Sequence, residues 1–156
     1  MNEEDFSKPG YVYVASSWRC RMQQAVVATL KVAGIDHYDF RNPPNGSGFG
    51  WKEVMPSFDI DNQLVYEDEY LRGLEHPRAK EGFAADFTAM EKADTVVLVL
   101  PCGRSAHLEL GWAVGAGKRT AILLDGPMVQ PELMYKMVDH VSPNLHDLLG
   151  WLGVED

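Results

Sequence analysis

One stretch most strongly constrains how this chain can fold: it runs from Thr95 to Lys118 and reads TVVLVLPCGRSAHLELGWAVGAGK. Its continuous apolar run, Thr95 to Leu100, is cut by Pro101 and followed by a short polar loop, Cys102 to Ser105. A segment rich in glycine and alanine comes next, which is typical of a helix that packs closely against its neighbours. The pattern predicts a buried strand, a loop and a helix, with Glu109 near the start of that helix.

The rest of the chain repeats this alternation of strand and helix. Short apolar or β-rich runs bounded by turn residues predict further strands, and segments with helical periodicity lie between them. We expect strands at Tyr11–Ala15, His37–Phe40, Arg119–Leu124 and His140–Val141, and helices at Arg21–Ala33, Tyr66–Leu74, Gly82–Ala93, Pro131–Val138 and Leu145–Leu152. Such alternation favours an α/β fold: a flavodoxin- or Rossmann-like, doubly wound parallel sheet of about five strands.

The length of the chain favours one domain. It has 156 residues, and 46% of them are hydrophobic, so a substantial core can form without disulfides or metal. We therefore expect a single domain over 1–156, with a loose tail at 1–9. Residues 43–80 are expected to form a long loop or lid, because prolines and glycines interrupt them early on and long loops in compact domains are usually functional.

Charge excludes several classes of partner. The net charge is −9, and the lysines and arginines are scattered, whereas proteins that track nucleic-acid phosphates carry basic clusters.

No run of apolar residues approaches the roughly 20 that a membrane helix needs, and the acidic first residues do not resemble a signal peptide. The cysteines and histidines have no zinc-like spacing. We expect a cytoplasmic protein that binds a small molecule, without metal or other cofactor.

Polar residues collect where the expected strands end. In a parallel α/β sheet, ligands bind beyond the carboxyl ends of the strands. In the first of these turns Ser17 is a candidate N-cap, so backbone N–H groups there could face an anion or a hydroxyl. Aromatic side chains of the long loop, Phe49 and Trp51, suit a planar ligand but could equally fill the edge of the core. The turns in question are Ser16-Ser17-Trp18-Arg19, Arg41-Asn42, Cys102 to Glu109 and Asp125 to Met128.

Two carboxylates are candidates for the chemistry. Asp86 shares a helix face with Phe83, Phe87 and Met90, and Glu109 lies between Leu108 and Leu110. Paired acids can divide the work at a glycosidic bond, one as nucleophile and the other moving a proton or orienting a group. The spacing alone equally allows a structural interpretation, in which one acid caps a helix and the other pairs with an arginine such as Arg104.

Other reaction schemes have weaker support. The chain has no GxxxxGK[ST] loop for nucleoside triphosphates and no GxSxG nucleophile elbow. Gly115-Ala116-Gly117-Lys118 follows a helix and precedes a strand, so it indicates a helix C-cap and not a phosphate cradle.

Three segments together resemble the nucleoside 2-deoxyribosyltransferase family, which includes 2′-deoxynucleoside 5′-monophosphate N-glycosidases. They are YVASS near the start, DFTAMEKADTVVLVL, and SAHLELGWAVGAGK. The resemblance covers about two-thirds of the chain, and 43–80 match weakly. It implies that Glu109 is the nucleophile that attacks C1′ of the sugar, that Asp86 positions the base or donates a proton, and that Tyr13 holds the nucleophile.

The same resemblance implies further binding residues. Ser16, Ser17 and Arg19 would approach the sugar or its 5′ group, and Glu132 would complete the site of a neighbouring subunit, which implies a homodimer or larger assembly. The chain departs from the family at Gly103, where the transferases often have an aspartate.

In the loop that contains Gly103, the hydrolases of the family have a serine, and Ser105 could take its place. Arg19 and Arg104 favour a 5′-phosphate, whereas Glu132 disfavours one.

The expected activity is cleavage or transfer of the N-glycosidic bond of a (2′-deoxy)nucleoside or its 5′-monophosphate through a covalent glutamyl–sugar intermediate. Two alternatives remain open from the sequence. One is an NAD-cleaving enzyme of the TIR type, which also uses a glutamate on a small parallel α/β fold. The other is a nucleotide-sensing module that binds without turnover.

Overall fold

A computed structural model of the protein describes residues 8–44 and 46–154. The predicted tail, 1–9, lies outside the described residues except for Lys8 and Pro9. The chain divides into two compact units: Phe40–Ala89 forms one, and the segments before and after it form the other. Within the described ranges, no helix combines the length and the apolar character needed to cross a membrane.

The first unit contains a five-stranded sheet in the order β2-β1-β3-β4-β5, and every strand pair in it is parallel. The predicted doubly wound α/β fold is therefore confirmed. The two outer strands, β2 and β5, pair on one side only and are each three residues long. The strands are β1 Val12–Ala15, β2 His37–Asp39, β3 Thr95–Val99, β4 Arg119–Leu123 and β5 His140–Ser142.

Helices connect the strands, as the alternating pattern predicts. They are α1 Arg21–Val32, α2 Glu67–Leu74, α3 Pro77–Lys92, α4 Arg104–Gly115 and α5 Leu145–Trp151, and short 3-10 helices lie at Trp51–Glu53 and Leu133–Met137. Glycine residues mark the C-terminal ends of α1 and α4, as the sequence predicts. Gly34 and Gly117, just beyond them, have φ of 72° and 76°, a conformation that glycine adopts without steric cost.

Alternation along the strands divides the core of the first unit into two faces. On one face, Val12 and Val14 belong to a buried cluster that includes Val26 and Leu30 of α1 and Leu148 of α5. The intervening residue, Tyr13, points to the other face and is 1% exposed. Helix α4 packs against β1, β3 and β4. The segment from Thr95 to Lys118 thus supplies both the central strand and the helix beside which the candidate site lies.

The structure corrects four local expectations. Ser17 does not cap α1, because that helix begins at Arg21 with Cys20 as its N-cap residue. Ser105 is not in a loop, because α4 already begins at Arg104. The helix expected at Pro131–Val138 is a 3-10 helix of five residues. Phe83 was expected on a buried stripe of α3, but it is 67% exposed and stacks on Phe87, with ring centroids 5.4 Å apart.

Candidate functional site at the carboxyl edge of the sheet

The centre of the candidate site is a contact between Tyr13 and Glu109. The Tyr13 hydroxyl donates a hydrogen bond to Oε2 of Glu109, across 96 positions of sequence. Tyr13 is almost fully buried on β1, and Glu109 is half-buried in the second turn of α4. A buried phenol needs a hydrogen-bond partner, and a carboxylate near an apolar core needs a donor, so each group satisfies the other. The contact holds the carboxylate in one place.

The turn after β1 lies at the same edge of the sheet. Ser16 Oγ donates to the backbone oxygen of Val99 at 2.8 Å, which ties the end of β1 to the end of β3. Ser17 Oγ accepts from the backbone N–H of Arg19 at 3.2 Å, so it caps this turn instead of the helix. The Trp18 and Arg19 side chains are exposed. Two predicted contact residues therefore shape the turn, and two are accessible to a ligand.

The surroundings of Cys102 identify further groups that lie at this edge of the sheet. The pKa of its thiol is raised to about 12, mainly by burial, and the nearby Cys20 thiol and the Glu109 and Asp125 carboxylates contribute to this rise. These groups follow β1, β3 and β4 or lie on α4, so the carboxyl ends of three neighbouring strands converge as the sequence predicts. Neither cysteine forms a disulfide.

The loop that precedes α4 is anchored by His107. Its Nδ1 lies 2.7 Å from the Gly103 carbonyl oxygen, which can only accept, so Nδ1 carries the proton. Its Nε2 lies 2.8 Å from the Tyr135 hydroxyl oxygen, within hydrogen-bond distance. Gly103 is the N-cap residue of α4, and Arg104 and Ser105 are exposed in its first turn. Three predicted site residues therefore lie together at the N-terminal end of α4, which His107 links to Tyr135.

Glu132 has a structural contact within its own chain. It is exposed, and its Oε1 accepts from the backbone N–H of Met134 at 3.0 Å, which caps the 3-10 helix Leu133–Met137. An N-cap of this kind is satisfied by aspartate, asparagine or serine as well, so capping alone does not require glutamate. Its predicted contribution to a neighbouring subunit stays a prediction.

The remaining predicted site residues belong to the second unit. Asp86 is half-buried on α3, and Arg41 is half-buried with its guanidinium 6.0 Å from the centre of the Phe40 ring. Phe49 and Trp51 meet edge to face with centroids 5.0 Å apart, and Trp51 meets Tyr70 in the same way at 5.8 Å. The pairing of Asp86 with Glu109 therefore stays a prediction.

The two loop aromatics have different surroundings. Phe49 packs directly against α3, since a Cβ on Gly82 would lie 2.9 Å from the Phe49 Cβ. The Arg78 guanidinium covers the Phe49 ring at 5.8 Å and donates to the backbone oxygens of Ser47 and Gly48. Trp51, in contrast, lines an open cavity of about 400 Å³ together with Phe58. The structural interpretation of the loop aromatics therefore fits Phe49, and Trp51 remains accessible to a planar ligand.

Sequence reasoning missed two contributors to this edge. Tyr38 on β2 stacks on Tyr13 with ring centroids 5.3 Å apart and an interplanar angle of 12°. Tyr135 is the other, through its bond to His107. Strand register would have predicted the contact between Tyr38 and Tyr13, because the two residues occupy paired positions of neighbouring strands. Nothing local in the sequence links Tyr135 to His107, which lie 28 positions apart.

A second open cavity, of about 500 Å³, is lined by residues of β5 and α5, among them His140, Asp147 and Trp151. Its polar side chains bond to one another: His140 Nε2 lies 2.6 Å from Asp147 Oδ1. Among the described residues, no three His, Cys, Asp or Glu side chains form a group that could hold a metal ion.

The sequence matches no protein-family model and no curated protein. Its structure is similar to that of a 2-deoxyribosyltransferase from the psychrotolerant bacterium Bacillus psychrosaccharolyticus, with 14% identity and a TM-score of 0.56, over 93% of this chain and 97% of that one. It is also similar to a conserved protein from Enterococcus faecalis V583, with 14% identity and a TM-score of 0.57, over 91% and 96% of the two chains. The resemblance inferred from the motifs is thus supported by nearly full-length structural similarity, and the chain has the fold of a 2-deoxyribosyltransferase.

Proposed function

We propose that this protein cleaves or transfers the N-glycosidic bond of a (2′-deoxy)nucleoside or its 5′-monophosphate, with Glu109 as the nucleophile. The observation that carries the proposal is the hydrogen bond from buried Tyr13 to Glu109, at the edge of the sheet where α/β folds bind ligands. A carboxylate held by a donor on a strand has little freedom to reorient, which favours a role in nucleophilic catalysis. The fold of a 2-deoxyribosyltransferase supports the same chemistry.

In the first step, a carboxylate oxygen of Glu109 forms a bond to C1′ of the sugar. The C1′–N bond breaks, its electron pair leaves with the base, and the base takes up a proton that we assign to Asp86. In the second step, water or another base attacks C1′ and gives up a proton to Asp86. The ester bond to Glu109 breaks, so the Glu109 carboxylate and the protonated Asp86 are both regenerated. Positive charge develops on the sugar in both steps, and the neighbouring carboxylate stabilises it.

The other predicted binding residues have complementary roles in this proposal. Arg19 and Arg104 are exposed cations at the carboxyl edge, and we assign to them recognition of a 5′-phosphate. Ser16, Ser17 and Trp18 shape or line the turn that approaches the sugar. Of the second unit, Arg41 and Trp51 are assigned to the base, with Trp51 as the stacking surface. Glu132 would reach the site of a second copy of the chain.

The experiment that tests the proposal is an incubation of the purified protein with a panel of nucleosides, their 5′-monophosphates and NAD, with free base detected by chromatography. The wild-type protein is expected to release base from at least one nucleoside or nucleotide. Adding a second base separates the two outcomes of the reaction, because transfer yields a new nucleoside and hydrolysis yields free sugar.

Glu109→Gln is the decisive variant, since an amide lacks the charge of the nucleophile but keeps its shape. We expect its rate to fall by at least about 10³-fold, as for loss of a nucleophile in other enzymes. Glu91→Gln, at an exposed glutamate of α3, is the matched control and should keep full activity. Release of nicotinamide from NAD alone would instead indicate the TIR type of enzyme, and binding without any release of base would indicate a sensing module.

A further inference from the structure

Strand register places a second tyrosine beside the one that holds Glu109. Tyr13 of β1 is paired with Tyr38 of β2 on one side and with Val96 of β3 on the other. Paired residues of adjacent strands point to the same face of a sheet, so these three side chains stand in a row. Tyr38 is 3% exposed and Val96 is fully buried. The Tyr13 ring is therefore flanked by a buried side chain on each side.

The two tyrosine rings are in stacked contact. Their centroids are 5.3 Å apart and their planes differ by 12°, an offset arrangement favoured by aromatic pairs. A flat neighbour at this distance restricts rotation of the Tyr13 ring about its side-chain bonds. Because the hydroxyl lies at the far end of the ring, a small rotation displaces it from Glu109.

Tyr38 is itself held on both flanks, although β2 is a three-residue strand at the edge of the sheet. The buried Gln23 of α1 donates through Nε2 to Oδ1 of Asp39 at 2.9 Å, directly after Tyr38. Before Tyr38, the backbone N–H of Val12 donates to the Asp36 oxygen at 2.9 Å. These bonds fix the backbone from which the Tyr38 ring extends.

We propose that Tyr38 is a positioning residue for the reaction, and that its ring keeps the Tyr13 hydroxyl directed at the Glu109 carboxylate. The inference rests on the proposed function for its kinetic part only, since the arrangement of the three side chains exists without substrate. It assigns a role to the edge strand β2. The aromatic ring of Tyr38, stacked on that of Tyr13, carries this role.

The test compares Tyr38→Met with Tyr38→Phe. Methionine fills much of the same volume without a flat ring, whereas phenylalanine keeps the ring. For Tyr38→Met we expect kcat to fall about 10-fold with KM nearly unchanged, because the nucleophile is misplaced while the substrate contacts remain. Tyr38→Phe should stay within about 2-fold of wild type. In a Tyr13→Phe background, Tyr38→Met should cause no further loss.

Two readouts separate positioning from general stability. Loss of the Tyr13 donor disfavours the charged carboxylate, so the acidic limb of the pH–rate profile should move to higher pH in Tyr38→Met. The ¹³C signal of the Glu109 carboxyl, assigned with Glu109→Gln, should show the same displacement of its titration without substrate. Val14→Ala is the matched control, because it removes a buried side chain of β1 on the opposite face and should change neither readout.

The inference is overturned if the Glu109 signal in Tyr38→Met titrates as in the wild type, or if Tyr38→Met and Val14→Ala behave alike. It is also overturned if Tyr38→Met lowers kcat equally in the Tyr13→Phe background. A displaced carboxyl signal in a protein that releases no base would sustain the positioning role and reject the proposed function, so the two failures are distinguishable.

Discussion

At the carboxyl edge of the sheet, the role of a residue depends more on its burial than on its neighbours in the sequence. Tyr13 lies in an apolar strand and would be costly to bury alone, since an unsatisfied hydroxyl in a core costs about 1–3 kcal/mol. Its bond to Glu109 removes that cost and fixes the carboxylate at the same time. One pair thus serves the stability of the sheet and the geometry of the candidate site.

Tyr13→Phe should therefore separate these two effects. We expect kcat for base release to fall by about 10- to 100-fold, because Glu109 loses the donor that orients it, while KM changes little. Tyr11→Phe is the matched control: Tyr11 precedes the same strand, and its ring packs under the Lys92 ammonium at 4.3 Å. Equal rates for Tyr13→Phe and wild type, measured at saturating substrate, would show that the contact does not serve catalysis.

The two cysteines should be unreactive in the native protein. A thiol reacts as its thiolate, and a pKa of about 12 for Cys102 leaves only about one molecule in 10⁴ ionised at pH 8. Cys20 is 1% exposed. We expect iodoacetamide at pH 8 to label neither cysteine while the chain is folded, and both once it is unfolded in urea, as counted by mass spectrometry.

Glu109→Gln removes one of the charges that raise the pKa of Cys102, so this variant should label faster at Cys102 than the wild type does. Rapid labelling of the native wild-type protein would contradict the described surroundings of the thiol. Unchanged labelling in Glu109→Gln would contradict the proximity of the two side chains.

At the scale of the element, close packing fixes how the second unit is built. The loop around Phe49 lies directly on α3, and a glycine allows that approach: a Cβ on Gly82 would stand 2.9 Å from the Phe49 Cβ and 3.1 Å from its Cγ. Arg78, also on α3, reinforces the contact through bonds to the loop backbone and an ion pair with Glu53 at 3.0 Å. Helix α3 thus anchors a segment that the sequence describes mainly as irregular.

Gly82→Ala should therefore destabilise the protein by about 1–3 kcal/mol, because the added methyl forces Phe49 to move. Gly150→Ala in α5 is the matched control, since its Cβ would have no atom within 4 Å. Replacing a helical glycine by alanine in open space is expected to stabilise by about 0.5–1 kcal/mol. The measurement is the midpoint of urea unfolding, and a Gly82→Ala variant as stable as wild type would contradict the close approach.

At the scale of the whole molecule, apolar side chains remain exposed around one part of the first unit. On the 3-10 helix Leu133–Met137, Leu133 is 75% and Met134 56% exposed. Leu108 of α4 is 76% exposed. The bond between His107 and Tyr135 brings α4 and this 3-10 helix together. These side chains do not form the core of the described chain, so they are available to pack against a second copy of it.

We expect a homodimer or larger assembly in solution, as the resemblance implies, measured by light scattering coupled to size exclusion. Leu133→Glu combined with Met134→Glu should dissociate it, because a charge is costly in an apolar interface. Val32→Glu, at a side chain of α1 that is 90% exposed, should leave the assembly intact. A strictly monomeric wild-type protein that still releases base would reject the predicted contribution of Glu132 to a neighbouring site.

The sequence by itself determined the sheet of the first unit and the place of its candidate site. Continuous apolar runs identify buried parallel strands, and glycines mark the ends of α1 and α4, because these signals arise within a few residues of chain. The turn residues that follow β1 and β3 could be assigned to one edge, since parallel strands end on the same side. The candidate nucleophile, Glu109, came from a motif that also lies within one local segment.

Only the tertiary structure decided which side chains meet. The contacts of Glu109 with Tyr13 and of His107 with Tyr135 join positions that lie 96 and 28 residues apart. They depend on strand order and on how α4 lies over the sheet, which no local pattern encodes. The same holds for Leu133 and Phe83, because helical periodicity shows that a face is apolar but not whether another element covers it.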